Sequence, residues 1–584
     1  MKNLKKWVAV GLSITLVLGM VTGCAKDASQ ESAYDDDVYE YEDSSQDWDA
    51  AKATESVEAT ESVEAEVQEY SNETGTGYEY AEAADEQVVE SALNKSSQVS
   101  PSSDKEEFEE RNQVQKETKM VYEEPLSTFS LDVDTASYAN IRKKLLSGYS
   151  LSGIDPSEVR IEEMLNYFDY DFKAPSRNKL FSIYTEIGDC PWNDESKVMM
   201  VGMKTKEADE SERKPSNLVF LLDVSGSMSD EDKLPLLQQA FEMLSNELTS
   251  EDRVSIVTYA SNDEVLLEGV KGNQKRKIMD TLWSLNAGGS TNGSDGIITA
   301  YELAQDYFIE GGNNRVIMAT DGDLNVGITS DEELKEFIAQ KRDTGVYLSI
   351  LGFGSGNYQD QKMESLADTG NGNYSYIDSE KEAYKVLVEE ISSTLSIVAK
   401  DVKMQVEFNP EQIKEYRLIG YETRLLEAQD FYDEKKDAGE LGYGHCVVAL
   451  YEIVPTGSTE IPLKYQSKNY KTNSSGLSKD AECCNVKISY KNIDTDEANI
   501  FEVPVKGTQS EKNPSDDFVF ATSVAQFGLL LEDNGSYYND EENNLQQEIR
   551  TIIKKLKKAD YDDSYKEEFI ELLSEAYYDI GVIS

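Results

Sequence analysis

One carboxylate and two hydroxyls stand at i, i+2 and i+4 in Asp223-Val224-Ser225-Gly226-Ser227. Side-chain oxygens of Asp and Ser are hard donors, suited to Mg²⁺, Mn²⁺ or Ca²⁺. They follow an apolar run, Leu218 to Leu222, bounded by polar residues, which reads as a strand buried on both faces. After them the spacing predicts a helix from about Lys233 to Leu248, with Leu234, Leu237, Ala240, Phe241 and Leu244 on one face. The oxygens therefore belong at the carboxyl end of a strand, where open α/β sheets place their ligands. Taken singly, Asp223 or Ser227 is explained as a helix N-cap.

The phrase DxSGS after an apolar strand resembles the metal ion-dependent adhesion site (MIDAS) of von Willebrand factor A domains. Two further parts of that motif are present: Thr291 within Gly288–Gly293, and Asp321 after a second apolar strand, Val316–Thr320. Capping does not account for three segments in this order at these element ends. The resemblance implies that Ser225, Ser227 and Thr291 supply hydroxyl oxygens, while Asp223 and Asp321 hold the ion directly or through water. An ion with only two carboxylates would keep residual positive charge and an open position. The Asp or Glu side chain of a protein partner could complete its shell. Asp295, close to Thr291, departs from the family pattern, and Asp323 is another nearby carboxylate.

Strands are expected at 217–223, 253–260, 314–320, 346–353 and 373–377. Helices near 233–248, 273–285, 293–309, 331–344, 359–369 and 379–396 alternate with them. Such alternation argues for a doubly wound α/β fold with a mostly parallel sheet covered on both faces. Beyond Asp401 the pattern turns to β-branched runs, Val402–Phe408, Cys446–Ile453, Ile461–Tyr465, Val486–Tyr490 and Ile500–Val505, which read as a smaller β-rich domain. The pair at 181–203 is a candidate to complete it. Helices are expected again at 515–531, 541–558 and 563–579. The division that follows is a leader at 1–24, a linker at 25–123, an N-terminal region at 124–214, the von Willebrand factor A domain at 215–398, a β-rich region at 399–510 and a helical region at 511–584.

Asp132-Val133-Asp134 after an apolar pair invites an aspartyl-nucleophile reading, but Ala136 stands where that motif wants Thr or Val. The surrounding phrases resemble YfbK-type von Willebrand factor A lipoproteins: LSTFSLDVDTASYANIR from Leu126, VRIEEMLNYFDYDF from Val159 and CPWN from Cys190. So do the stretches 416–422, 444–455 and 518–528. The resemblance implies no reaction.

The chain has 584 residues, too many for one ordinary core, and 113 acidic against 56 basic residues give a net charge of −57. That charge repels nucleic acid and argues against it as a partner. The single histidine, His445, excludes multi-His metal centres and leaves little room for a Ser-His-Asp mechanism. Lys2, Lys5 and Lys6 followed by the apolar run Trp7–Met20 read as a secretory signal. Val21-Thr22-Gly23-Cys24 is similar to a bacterial lipobox, which implies cleavage before Cys24 and a lipid on its sulfur. The rest would then lie in the cell envelope, anchored outside the cytoplasmic membrane or on an outer membrane. Residues 25–123 hold 29 Asp and Glu against 7 Lys and Arg and read as a disordered, extended tether. Cys483 and Cys484 are too close to pair with each other; Cys446 and Cys190 are alternatives for either, with free buried thiols as the default.

These features lead to an expected non-enzymatic, lipid-anchored protein-binding module that uses a divalent metal for adhesion or as a scaffold. The alternatives are a metal-dependent envelope hydrolase, disfavoured by the missing acid–base pair, and a structural protein whose ion only stabilises a loop.

Overall fold

The computed structural model of the protein describes residues 118–583, apart from 132, 177–178, 209–212, 290–294, 323–327, 329, 355–359, 391–396, 457–476, 479, 494, 496, 508–512 and 533–541. The signal, Cys24, nearly all of the acidic linker and the expected strand at 461–465 lie outside the described residues. No described helix is long and apolar enough to cross a membrane.

The chain opens with β1 (Lys119–Met120), β2 (Leu126–Ser130), α1 (Ala136–Leu146), α2 (Ile161–Asn166) and the antiparallel pair β3 (Phe181–Asp189) and β4 (Lys197–Thr205). The central part runs β5 (Ser216–Asp223), α3 (Leu234–Glu247), β6 (Arg253–Tyr259), β7 (Asp263–Lys271), α4 (Lys275–Leu282), α5 (Gly296–Asp306), β8 (Asn313–Thr320), α6 (Asp331–Arg342), β9 (Val346–Phe353), α7 (Asp360–Thr369), β10 (Tyr374–Ile377) and α8 (Glu380–Tyr384). Then come β11 (Ile397–Phe408), β12 (Ile413–Ile419), β13 (Gly439–Gly442), β14 (Cys446–Pro455), β15 (Glu482–Asn492) and β16 (Ala498–Lys506), and the helices α9 (Asp516–Glu532), α10 (Glu542–Leu556) and α11 (Ser564–Ile583).

The central sheet has the order β10-β9-β8-β5-β6-β7, parallel throughout except at its β7 edge. Every residue of β5 is buried, and the reason is its two-sided cover. Leu218, Phe220 and Leu222 pack with Leu237 and Phe241 of α3, whereas Val219 and Leu221 pack with Ile297 and Ala300 of α5. A strand clothed on both faces has no polar side to show, so its sequence is an unbroken apolar run.

The remaining strands form two facing sheets, β1-β12-β14-β4-β3 and β13-β11-β15-β16, with β2 added against β11. Met199, Val201, Val447 and Tyr451 point into the space between them, alongside Val406 and Ile488 of the second sheet. The other face of the first sheet, with Val198, Met200, Val448 and Leu450, lies under Met164 and Leu165 of α2 and Phe520, Val524 and Phe527 of α9. The hairpin at 181–203 thus supplies strands of the sandwich, as its sequence position suggested. The thiols of Cys190, Cys446, Cys483 and Cys484 are buried and free.

Asp134, from the rejected nucleophile motif, has a structural task. Its Oδ1 accepts the Tyr374 N–H at 3.0 Å and its Oδ2 meets Arg424 at 3.3 Å, tying β10 to the sandwich. Glu162 on α2 is 3% exposed, and its Oε2 meets no donor. Burial, followed by repulsion from Glu422, pushes its carboxyl up from 4.5 to about 7. A raised carboxyl makes the folded state hold more protons than the unfolded one across that window, so stability falls as pH rises through it. We expect Glu162→Gln to remove the fall, gaining on the order of 2–3 kcal/mol at pH 8 and little at pH 4.5. Urea unfolding at both pH values measures this; equal differences at the two would show that Glu162 is ionised in the folded protein throughout.

Candidate metal site

β5 and β8 lie side by side and parallel, with Leu222 opposite Ala319. Asp223 is the last residue of β5 and Asp321 the first beyond β8, so the topology alone brings both carboxylates to one edge of the sheet. Asp223 is fully buried. Its Oδ1 accepts the Ser225 N–H at 2.8 Å, and its Oδ2 accepts from the Thr320 hydroxyl at 3.4 Å. Burial pushes its carboxyl up to about 6, and the neighbouring Asp321 adds to that.

The chain then leaves the sheet through the short turn Gly226–Ser229 before α3 begins. This turn carries the hydroxyls of Ser225 and Ser227 to within 2.9 Å of each other. Ser225 is buried and Ser227 exposed, so the oxygens run from the sheet edge towards solvent. The turn is stitched to a second loop: Gly226 N–H donates to the Gly289 carbonyl at 3.1 Å, and Gly288 N–H to the Val224 carbonyl at 2.8 Å. Gly289 has φ +85°, which a side chain rarely tolerates. Thr291 itself lies outside the described residues, as does Asp323, but Gly288-Gly289 fixes where the segment leading to Thr291 starts. Asp295 is exposed and precedes α5.

Four of the five expected site residues therefore converge. A buried carboxylate beside a second carboxylate and a pair of hydroxyls is a donor set that fits a hard divalent cation. Sequence reasoning missed Lys233. Its ammonium donates to Asp321 Oδ2 and to the Ser227 carbonyl, both at 2.9 Å. A basic residue just before a helix is usually solvated, and only the fold brings this one back over the strand ends.

A second acidic group lies elsewhere. Carboxylate oxygens of Asp401, Asp437 and Glu440 lie within 4.8 Å of one another. Lys491 pairs with Asp401 at 2.7 Å and Arg342 with Asp437 at 2.6 Å, so protein cations already meet two of the three.

Comparison with known proteins assigns the chain. The family model for the C-terminal part of uncharacterized protein YfbK matches residues 393–578, that for the von Willebrand factor type A domain matches 217–391, and one described as von Willebrand factor matches 102–200. Uncharacterized protein YfbK of Escherichia coli (strain K12) is 39% identical over 464 residues, 78% of each chain. The chain belongs to the YfbK family. The resemblance read from the phrases around 126–193 and 416–528 is thereby shown, together with the α/β von Willebrand factor A fold. The chain is also similar to inter-alpha-trypsin inhibitor heavy chain H3 of Mus musculus, 26% identical over 176 residues, 28% of this chain and 20% of that one. Among solved structures, the ArnB paralog VWA2 from Sulfolobus acidocaldarius aligns over 69% of this chain and 98% of its own at 14% identity and a TM-score of 0.34. Von Willebrand factor A domains mediate protein–protein interactions, and residues 217–391 are such a domain.

Proposed function

We propose that this YfbK-family protein binds a protein partner through a divalent ion, Mg²⁺ by preference with Mn²⁺ or Ca²⁺ as substitutes, held by Asp223, Ser225, Ser227, Thr291 and Asp321. The partner presents an acidic side chain that completes the ion's shell. The protein does so from the cell envelope, anchored by lipid on Cys24, with residues 25–123 as a tether that gives the folded part reach. Its work is adhesion or scaffolding, not catalysis.

The observation that carries this reading is the convergence of Asp223, Ser225, Ser227 and Asp321 at the ends of β5 and β8. Two carboxylates balance the ion's charge without filling its shell, and the other protein donors are neutral hydroxyls, which leaves a position for an added anionic ligand. Lys233 beside this site is engaged with Asp321, and no described histidine stands there to activate a metal-bound water. The net charge of −57 opposes an acidic partner only at long range, since a Debye length is about 8 Å at physiological salt.

A partner captured from envelope extract in Mg²⁺ and released by EDTA supplies the test. Its affinity should fall at least about tenfold for Thr291→Ala, a loss of about 1.4 kcal/mol. It should survive deletion of residues 28–120. If deleting the tether abolishes binding while Thr291→Ala leaves it unchanged, the acidic segment is the recognition element and the proposal fails.

A further inference from the structure

Lys233 precedes α3, and its side chain is only 15% exposed. Three separate features hold it over the strand ends. Its ammonium is 2.9 Å from the Ser227 carbonyl, and it is 2.9 Å from Oδ2 of Asp321, whose side chain is 6% exposed. Its aliphatic stem lies against Gly354, just past β9, where φ is +79° and a Cβ would collide with the Lys233 carbons. The nearby Asp230 is 3.9 Å away and largely in solvent, so it competes weakly for the ammonium. The lysine thus reaches the site through a slot that a glycine leaves open.

Charge decides what such a lysine does. Asp223 and Asp321 bring two negative charges, so a divalent ion alone would leave the site neutral. With Lys233 beside Asp321 the loaded site carries one net positive charge. Part of Asp321's negative charge is already answered, so the ion gains less by binding there. An approaching carboxylate gains more, because it meets two cations rather than one.

We propose that Lys233 is a tethered cation that weakens the hold on the metal and strengthens the hold on the partner's carboxylate. This rests on the metal-dependent binding proposed above and extends it. Lys233 would make metal occupancy and partner binding support each other: the partner's carboxylate offsets the lysine charge that opposes the ion, and a loosely held ion becomes firmly held in the complex.

The test is titration of the full-length protein with Mn²⁺ by calorimetry, followed by titration of acetate into the Mn²⁺-saturated protein by water-proton relaxation. Lys233→Met and Lys233→Gln should each tighten Mn²⁺ roughly tenfold and weaken acetate several-fold. Lys233→Arg, which keeps the charge, should stay close to wild type in both. Asp223→Ala is run alongside. A lysine that merely positions Asp321 would give the opposite sign: weaker Mn²⁺ in both neutral variants overturns the proposal, as does unchanged acetate binding. Mn²⁺ binding that is absent in wild type, or equal in wild type and Asp223→Ala, instead sinks the metal site itself.

Discussion

Arg142→Met is expected to destabilise the protein by about 3–5 kcal/mol. Arg142 on α1 is 2% exposed and is gripped by two carboxylates that are 3% and 1% exposed. Its Nε donates to Asp378 Oδ2 at 2.9 Å and its Nη2 to Asp378 Oδ1 at 2.5 Å, a bidentate fork. The same Nη2 meets Glu382 at 2.7 Å, and Nη1 donates to the Tyr167 hydroxyl at 2.7 Å, which itself donates to Glu382 at 2.7 Å. The guanidinium also lies 5.4 Å from the centroids of the Tyr138 and Tyr167 rings. The pair joins α1 to α8 of the central domain. Methionine fills much of the space but leaves two carboxylates buried and uncompensated, which is the costly way to break such a pair. Adding Asp378→Asn and Glu382→Gln to Arg142→Met should restore most of the loss. Urea unfolding measures both; a single-variant loss under about 1 kcal/mol would show that Asp378 and Glu382 find other partners or water.

Asp223→Ala is expected to abolish divalent-ion binding and to leave the apo fold intact. Asp223 is the most buried of the described donors of the proposed site, and the remaining hydroxyls and Asp321 offer too little charge to replace it. The fold should survive because the change has compensating parts. It removes the hydrogen bonds from the Ser225 N–H and the Thr320 hydroxyl, worth about 1 kcal/mol each at most, and it also removes the cost of holding a carboxylate out of water. In EDTA the unfolding midpoint of the variant should therefore match wild type closely. At a metal concentration one hundred times the dissociation constant, wild type should gain about 2.7 kcal/mol and the variant nothing.

Much of this was legible from residue order because the physics was local. The apolar run before Asp223 reads as a strand covered on both faces, and the apolar stripe after it reads as one face of a helix. The resemblance to the MIDAS motif is what grouped Asp321 with Asp223, since the alternation by itself gives no strand order. Strand β7 was not legible: DEVLLEGVK lies at the sheet edge, mostly in contact with solvent, so charged residues interrupt any apolar pattern. β12, with Lys414, Glu415 and Arg417 among its seven residues, was masked in the same way. The contacts that bind the parts together were invisible for another reason. Arg142 and Asp378 are 236 residues apart, and Asp134 and Tyr374 are 240 apart, so no spacing rule connects them. Lys233 belongs to this class too: its partner, Asp321, comes 88 residues later.

The central claim is that the ends of β5 and β8 hold a divalent ion, and calorimetric titration of Mg²⁺ and Mn²⁺ into wild type, Asp223→Ala and Asp321→Ala tests it most directly. The account predicts one saturable site in wild type and no measurable site in either variant, with all three proteins equally folded in EDTA. Unchanged affinity in both variants would contradict it.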